Sequence, residues 1–335
     1  MSRTAVVILN HNGEKLLRLF LPSVIQYSPG VEIIVADNAS TDQSIAILRH
    51  EFPAIRTILL DQNYGFCGGY NRALKQVDAD YYVLLNSDIE VTPGWLEPMI
   101  KMLDACSDVA CVQPKVLSYQ DRNKFEHAGA AGGFIDSFGY PFCRGRVFDR
   151  VESDLGQYDD EIEIFWSTGA CMMIRSNQYH RFQGFDEDFF AHMEEIDLCW
   201  KLHRIQQKVM YSGKSKIYHV GAGTLGYGNP RKTYLNFRNG LSLIFKHLNP
   251  IELFFKLPIR ILLDWIAAIR FLLMKDAANA SAILYAHWDF LKNIGRDRRK
   301  RIEIRKINGG YSRTAIKRGS IIFDFYILGR KVFVQ

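Results

Sequence analysis

Asn86, Ser87 and Asp88 close the apolar run Tyr81-Tyr82-Val83-Leu84-Leu85. A buried strand that delivers a carboxamide and a carboxylate to its carboxyl end suits an open α/β sheet, where ligands bind at that edge. Asp and Asn also simply terminate strands, so the weight comes from a series. Val6-Val7-Ile8-Leu9 leads into Asn10-His11-Asn12, and Ile33-Ile34-Val35-Ala36 leads into Asp37-Asn38-Ala39-Ser40-Thr41-Asp42. A carboxylate at Asp37 can accept hydrogen bonds from a nucleobase imide or a ribose hydroxyl. Asp88 can hold a divalent cation against the charge that grows on a departing diphosphate. His219 ends another apolar stretch and is a second candidate ligand, although a lone histidine is more often structural. The glycine-rich turn after it, Gly221-Ala222-Gly223, can close over phosphates. Glu194, Glu195 and Asp197 crowd together near an expected helix start. The helix dipole favours acids there, and like charges in close company raise the pKa of one member, as a general base requires.

These groups need elements to carry them. Apolar, β-branched runs predict strands at 4–9, 32–37, 55–60, 81–86 and 108–116, with a further strand at 163–174 and short ones at 208–211 and 216–220. Helical patterns fall at about 14–27, 42–51, 68–77, 95–105 and 194–206. Strands spaced by helices of this length predict βαβ units and a mainly parallel sheet. Residues 63–71 open a helix with Gly65, Gly68 and Gly69, which let backbone approach a ligand; the spacing is not that of the dinucleotide fingerprint. Residues 118–160 read as irregular.

The 335 residues, 48% hydrophobic and 23% charged, exclude a disordered chain and allow one large domain with an appendage. No signal peptide is visible, and six cysteines without a CxxC pair suggest reduced thiols, so the expected compartment is the cytosol, at the inner face of the plasma membrane if the chain meets one. The charge is uneven. Residues 246–335 carry 18 Lys and Arg against 7 Asp and Glu, a net +11, while the rest of the chain is net acidic. We therefore divide the chain into a catalytic domain, 1–245, and a basic, amphipathic, helical region, 246–335. Residues 253–274 are apolar but contain Lys256, Arg260, Asp264 and Arg270, which disfavours a membrane span. Lys256, Arg260 and Asp264 share one helix face. A helix lying on a membrane with Phe254, Phe255, Trp265 and Phe271 inserted fits this pattern, as does a helix packed on the catalytic domain or in a homodimer. The run 296–301 would then meet anionic lipid. It lacks interleaved aromatic residues, and no nucleic-acid recognition module is apparent, so nucleic acid is not an expected partner.

Taken in order, the segments around Asn10, Asp37, Asn86-Ser87-Asp88, Glu194-Glu195 and His219 resemble glycosyltransferase family 2, whose members are inverting nucleotide-sugar transferases with a GT-A fold. The likeness spans about residues 3–245 and is closest to the rhamnosyltransferase-like branch, through Ala36-Asp37-Asn38-Ala39-Ser40. It implies a Rossmann-like α/β sheet flanked by helices, a Mn²⁺ or Mg²⁺ cofactor, a nucleoside-diphosphate sugar donor and a glycan or lipid-linked acceptor in bacterial surface polysaccharide synthesis. It also assigns roles. Asp37 would bind the nucleobase, with Asn10 and Asn12 in the same pocket and Gly65, Gly68 and Asn71 near the nucleotide. Asn86 and Asp88 would take the place of the metal-binding DxD motif, with His219 contacting metal or diphosphate. Trp166, Gly169 and Ala170 would lie at the donor sugar and acceptor. Glu195 would be the base, with Glu194 and Asp197 as alternatives, and Tyr234, Arg238 and Asn239 would touch the leaving diphosphate. Two departures stand out: Asn86 replaces the first acid of DxD, and Glu195 stands where Asp is usual. A sugar nucleotidyltransferase would show a glycine-rich basic loop where Asn10–Lys15 stands. A non-catalytic nucleotide-sugar-binding scaffold at a membrane would bind nucleotide without turnover.

Overall fold

The computed structural model describes residues 2–221, 228–307 and 315–333. The first half alternates as expected: β1 (Thr4–Asn10), α1 (Glu14–Tyr27), β2 (Glu32–Asp37), α2 (Ser44–Glu51), β3 (Arg56–Leu59), α3 (Gly65–Leu74), β4 (Tyr81–Asn86), the short β5 (Ile89–Val91), α4 (Glu97–Ala105) and β6 (Val109–Ser118). The region read as irregular holds a small sheet of β7 (Gly133–Asp136), β8 (Pro141–Cys143), β9 (Arg146–Val147) and β10 (Arg150–Val151). Next come β11 (Glu161–Ile164), β12 (Cys171–Arg175), α5 (Ser176–Arg181), α6 (Glu194–Arg204) and β13 (Lys208–His219). Four long helices follow, α7 (Pro230–His247), α8 (Pro250–Leu273), α9 (Ala277–Lys292) and α10 (Ile294–Lys306), then β14 (Ile316–Lys317) and α11 (Ile321–Tyr326).

The main sheet runs β11-β13-β6-β12-β4-β1-β2-β3, with β5 on β13, and β14 joins the small sheet beside β7. Strands β4, β1, β2 and β3 are parallel, while β12 runs antiparallel to both β4 and β6, so the sheet is parallel on one side and mixed on the other. The single strand expected at 163–174 is two strands in different places, because residues 165–170 cross from one to the other. Conversely, the two short strands expected at 208–211 and 216–220 are one, β13, with an irregularity between Ser212 and Lys216.

The central strands are apolar on both faces because both are covered. Val6, Ile8, Val83 and Leu85 pack with Leu17 and Leu21 of α1 and Met99 and Leu103 of α4. Val7, Ile34, Ala36 and Leu84 pack with Tyr70 and Leu74 of α3 and Ile196 and Leu198 of α6. Burial on both sides fixes the register, which sets Asn10 beside Asp37 and Asn86 beside Leu9. One edge of the sheet therefore gathers the polar strand ends.

The helical region is joined to this body more closely than composition suggested. Helix α7 runs across position 245, so the two parts of the chain share it. Helix α8 buries Arg260 and Asp264 and turns Phe254, Phe255, Leu262, Trp265 and Leu273 outward, while Leu253, Leu257 and Ile261 pack on the core. Of the basic run 296–301, Arg296 and Lys300 pair with Asp188, Lys300 also with Asp186, and Arg301 donates to the Phe245 carbonyl. Only part of that run is left for an external partner.

Candidate active site

Asp37 is buried at the end of β2. The Asn10 Nδ2 donates to Asp37 Oδ2 at 3.0 Å, and the Ser40 amide donates to Asp37 Oδ1 at 2.8 Å. The Asn10 Oδ1 is buried and has no hydrogen-bond partner among the described residues, which suits a ligand donor. Asn12 has φ +54° and accepts from the Thr41 amide at 2.7 Å, bracing the loop after β2 against the loop after β1. The far wall is Asn38, whose Nδ2 donates to the Gly65 carbonyl at 3.0 Å and whose Oδ1 accepts from the Tyr64 amide at 3.0 Å. Gly65 has φ +68°, and a Cβ there would lie 2.8 Å from the Phe190 ring, so a larger residue is excluded twice over. Gly68, one turn on, packs against Tyr64. Asn71 is not in this pocket in any useful sense. Its Oδ1 accepts from Tyr179 and the Phe185 amide, and its Nδ2 donates to the Phe185 carbonyl and Glu187, so it has become a clasp for the loop before α6.

Asp88 lies past Asn86, in the turn between β4 and β5. The Val220 amide donates to its carbonyl at 3.0 Å, and β13 pairs His219 with Ile89. That pairing brings His219 Nε2 to 3.1 Å from Asp88 Oδ1, with His219 Nδ1 3.1 Å from Glu126 Oε2 on the other side. Burial disfavours a charged imidazole, but the two carboxylates outweigh it and raise the His219 pKa to about 10. The 3.1 Å between His219 Nε2 and Asp88 Oδ1 is the separation of an ion pair, and it is also short enough for one cation to bridge the two atoms once the ring nitrogen has lost its proton. Asp88 and His219 would fit a divalent ion only with the His219 ring deprotonated, the ion taking its other ligands from substrate and water. No group of three or more His, Cys, Asp or Glu among the described residues forms a complete cage. Asn86 is half-buried, and its amide donates to the Ala170 carbonyl at 2.9 Å. The glycine-rich turn expected to close over phosphates runs into 222–227, which lie outside the described residues.

The Asn86–Ala170 bond brings the crossing segment 165–170 to the same edge. Trp166 is buried, and its Nε1 donates to the Phe134 carbonyl at 2.8 Å, so the ring supports the segment rather than offering a stacking face. Gly169 is closely surrounded: a Cβ there would sit 3.3 Å from Phe66, tighter than ordinary contact, and 3.9 Å from Glu194 Oε1.

Glu194 and Glu195 begin α6 after a tight loop. Phe190, His192 and Met193 have φ of +65°, +68° and +74°, conformations that cost non-glycine residues energy and persist only when the surroundings impose them. Helix α7 imposes them. Asn239 Nδ2 donates to the carbonyls of Phe189, Ala191 and His192, and Arg238 donates to those of Asp188 and Phe189. Tyr234 donates to Asp289 at 2.7 Å. These three residues, expected at a leaving diphosphate, are turned to backbone and to the helical region instead.

The three acids of α6 differ sharply. Burial raises the Asp197 carboxyl, but Lys201, Lys246 and His247 outweigh it and hold the group well below the usual carboxylate range. Lys246 Nζ lies 2.6 Å from Asp197 and 2.8 Å from Asp186. A carboxylate so heavily paired is a poor proton acceptor. Glu194 and Glu195 have no such cations, and the Oε2 of each is buried without a hydrogen-bond partner among the described residues. Burial, reinforced by Glu195, pushes Glu194 well up, and burial raises Glu195 to about 7. Glu195 is the more exposed of the two. It combines access with a pKa near neutrality, the condition for general base work.

The structure thus gathers Asn10, Asn12, Asp37, Gly65, Asn86, Asp88, Gly169, Ala170, Glu194, Glu195 and His219 at one edge, and gives Asn71, Trp166, Asp197, Arg238 and Asn239 supporting contacts. Sequence reasoning missed Glu126 and Lys246. Each is an acid or base far along the chain from its partner, and nothing in local periodicity links them.

The profile of the family described as "Glycosyl transferase family 2" matches residues 5–179. The match stops short of Glu194, Glu195 and His219. The chain is 24% identical over 255 residues to the N-acetylglucosaminyl-diphospho-decaprenol L-rhamnosyltransferase of Mycobacterium tuberculosis, covering 66% of this chain and 77% of that one. It is 25% identical over 209 residues to rhamnosyltransferase WbbL of Escherichia coli, covering 59% and 75%. Among solved structures, the mannosyltransferase PcManGT of Pyrobaculum calidifontis, in complex with GDP-Man and Mn²⁺, superposes with a TM-score of 0.52 at 13% identity, covering 91% of this chain and 86% of that one. GalNAc-T7 with UDP, GalNAc and Mn²⁺ gives 0.58 at 14% identity, covering 73% of this chain but only 48% of that one. At such identities the two structures speak for the fold alone, which is of the GT-A type.

Proposed function

The chain belongs to glycosyl transferase family 2 and is a glycosyltransferase, and from that premise we propose that it moves a sugar, with inversion, from a nucleoside-diphosphate sugar to a hydroxyl of a glycan or lipid-linked acceptor. The observation that carries this reading is the pair of buried carboxylates, Glu194 and Glu195, that start α6 without a cation, each with its Oε2 unpartnered among the described residues, on the same edge as Asp88. In this reading Asp37 and Asn10 receive the nucleobase and ribose. Asp88 and a deprotonated His219 would hold Mn²⁺ or Mg²⁺, and a cation there would neutralise charge on the departing diphosphate. Glu195 takes the proton from the acceptor hydroxyl as its oxygen bonds to the anomeric carbon. The bond from that carbon to the diphosphate oxygen breaks on the opposite face, and the electron pair leaves with the nucleoside diphosphate. Burial and the charge of Glu195 both favour the protonated form of Glu194, which leaves Glu195 the working base in this reading. The diphospho-decaprenol-linked sugar in the name of the Mycobacterium relative favours a lipid-linked acceptor. All residues of this scheme come from one chain, so it asks for no homodimer.

The test is release of nucleoside diphosphate from candidate sugar nucleotides with acceptor present. Glu195→Gln should lose at least about a hundredfold in rate, since general base catalysis supplies 10²–10⁴, and Asp88→Ala should lose turnover and metal dependence together. Full activity in either variant removes the role given to that residue. A wild-type protein that binds nucleotide but never turns over would favour a binding scaffold.

A further inference from the structure

We propose that the outward faces of α8 and α9 form a docking surface for an anionic lipid bilayer, on which the protein lies flat. Helix α8 has 24 residues and is about 36 Å long. Its exposed positions recur every three or four residues along its whole length, so they form one stripe, and that stripe is apolar: Phe254 is 74% exposed, Leu262 57%, Trp265 51% and Leu273 80%. Helix α9 packs beside it and continues the surface with Leu284, Tyr285, Trp288 and Leu291. Soluble proteins rarely expose a contiguous apolar area of this extent without a partner.

Several polar groups of the same helices are paired away from the stripe. Arg260 Nε donates to Asp264 Oδ1 at 3.0 Å, Tyr140 donates to the same oxygen at 2.9 Å, and His287 Nε2 lies 3.3 Å from Asp264 Oδ2. Glu252 pairs with Lys256, Asp276 accepts from Asn279, and Asp289 accepts from Tyr234. The helices are thus apolar on the outer face as well as on much of the inner one, where Leu253, Leu257, Ile283 and Phe290 pack, yet no helix among the described residues is long and apolar enough to cross a membrane. An apolar outer face on a helix pair too polar overall to span is the condition of helices resting in the interface, with Trp and Tyr at headgroup depth.

Charge selects lipid over a second copy of the chain. No Asp or Glu of α8 and α9 is exposed, Asp264 being buried and Glu252 and Asp289 half-buried, whereas Arg270, Lys275 and Lys292 are exposed beside the stripe, and Arg298 and Arg299 are exposed on α10. Self-association through this surface would press one net +11 segment against another, while an anionic headgroup layer complements it. The surface is also anchored to the cleft. Asn279 Nδ2 donates to the Gly228 carbonyl at 2.9 Å, and Tyr234 joins α7 to α9, so the helix that shapes the loop before Glu194 is fixed to the docking helices.

The experiment is co-sedimentation of the full chain with vesicles of phosphatidylcholine alone or with phosphatidylglycerol added, and light scattering in their absence. The wild type should bind the anionic vesicles at least about tenfold more tightly than the neutral ones. The double variant Phe254→Ser/Trp288→Ser, at exposed positions, should keep its thermal melt and lose at least about tenfold in vesicle affinity. Equal binding by the variant overturns the proposal, as does absence of wild-type binding to either vesicle. A concentration-dependent dimer that the same substitutions dissociate, without vesicle binding, overturns it in favour of a second copy. No turnover is read, so failure here is separable from failure of the transferase mechanism.

Discussion

The cleft at the sheet edge and the pair α8 and α9 both place side chains against their preference for water, but in opposite senses. In the cleft, carboxylates are buried without cations: Glu194 and Glu195 have raised pKa values while Asp197, one turn on, is neutralised by Lys246 and its neighbours. On the helix pair, apolar rings are left in solvent while Arg260 and Asp264 are sealed below. Each region has the ordinary solution to its problem close at hand. Lys246 shows that α6 acids can be paired, and the buried faces of α1 and α4 show that helices of this chain can turn apolar residues inward. Exceptions set so near to compliant neighbours point to use rather than to poor folding.

The contrast can be broken most violently at Lys246. In Lys246→Met, the carboxylates of Asp186 and Asp197 lose their shared cation, and removing one partner of a buried pair costs about 3–5 kcal/mol. Chemical denaturation should show a loss of that size. A loss below about 1 kcal/mol would mean that Lys201, His247 and Lys300 suffice alone.

A smaller effect of opposite sign is expected at Glu195. Its folded pKa of about 7 lies above the ordinary value of 4.5. Between those values the folded state binds more protons than the unfolded one, so stability falls as pH rises through that window and is lowest above it. Glu195→Gln removes this dependence and should be more stable than wild type at pH 8 by about 1–3 kcal/mol, with no gain at pH 4. Activity should move the other way, rising with pH up to about 7 as Glu195 ionises. Melting curves at the two pH values, beside a pH–rate profile, read both. An equal shift at both pH values would assign the gain to packing.

The smallest effect is at Leu262. A buried leucine such as Leu84 should cost about 2–5 kcal/mol when truncated to Ala, whereas Leu262→Ser should change the melt of the lipid-free protein by no more than about 0.5 kcal/mol. A large loss at Leu262 would show that the outer face of α8 is covered in solution.

The parts of the fold that could be read from sequence were those governed by local periodicity. Strands β1, β2 and β4 are continuous apolar runs because helices cover both faces, and their polar ends mark the edge where the site forms. Residues 163–174 misled because Phe165, Trp166 and Ala170 are apolar enough for one long strand; what divides them is a crossing fixed by contacts to Phe134 and Asn86, distant in sequence. Amphipathic spacing located the polar face of α8 through Lys256, Arg260 and Asp264, but spacing alone does not say which face is inside. Asp37, Asp88 and Glu195 were legible as chemistry from their positions at element ends. Glu126 was not, since its relation to His219 spans a region with no regular pattern and exists only once β13 is in place.

Two residues, 248–249, separate α7 from α8. The helix that bends the backbone before Glu194 and the helix that faces outward are therefore stiff neighbours with almost no slack between them. Thermodynamic linkage then works in both directions. Any free energy by which a surface beneath α8 alters the seating of α7, and with it the occupancy of the cleft, must reappear undiminished as a change in grip on that surface when the cleft is filled. A filled enzyme and an empty one would then differ in how long they stay where they land.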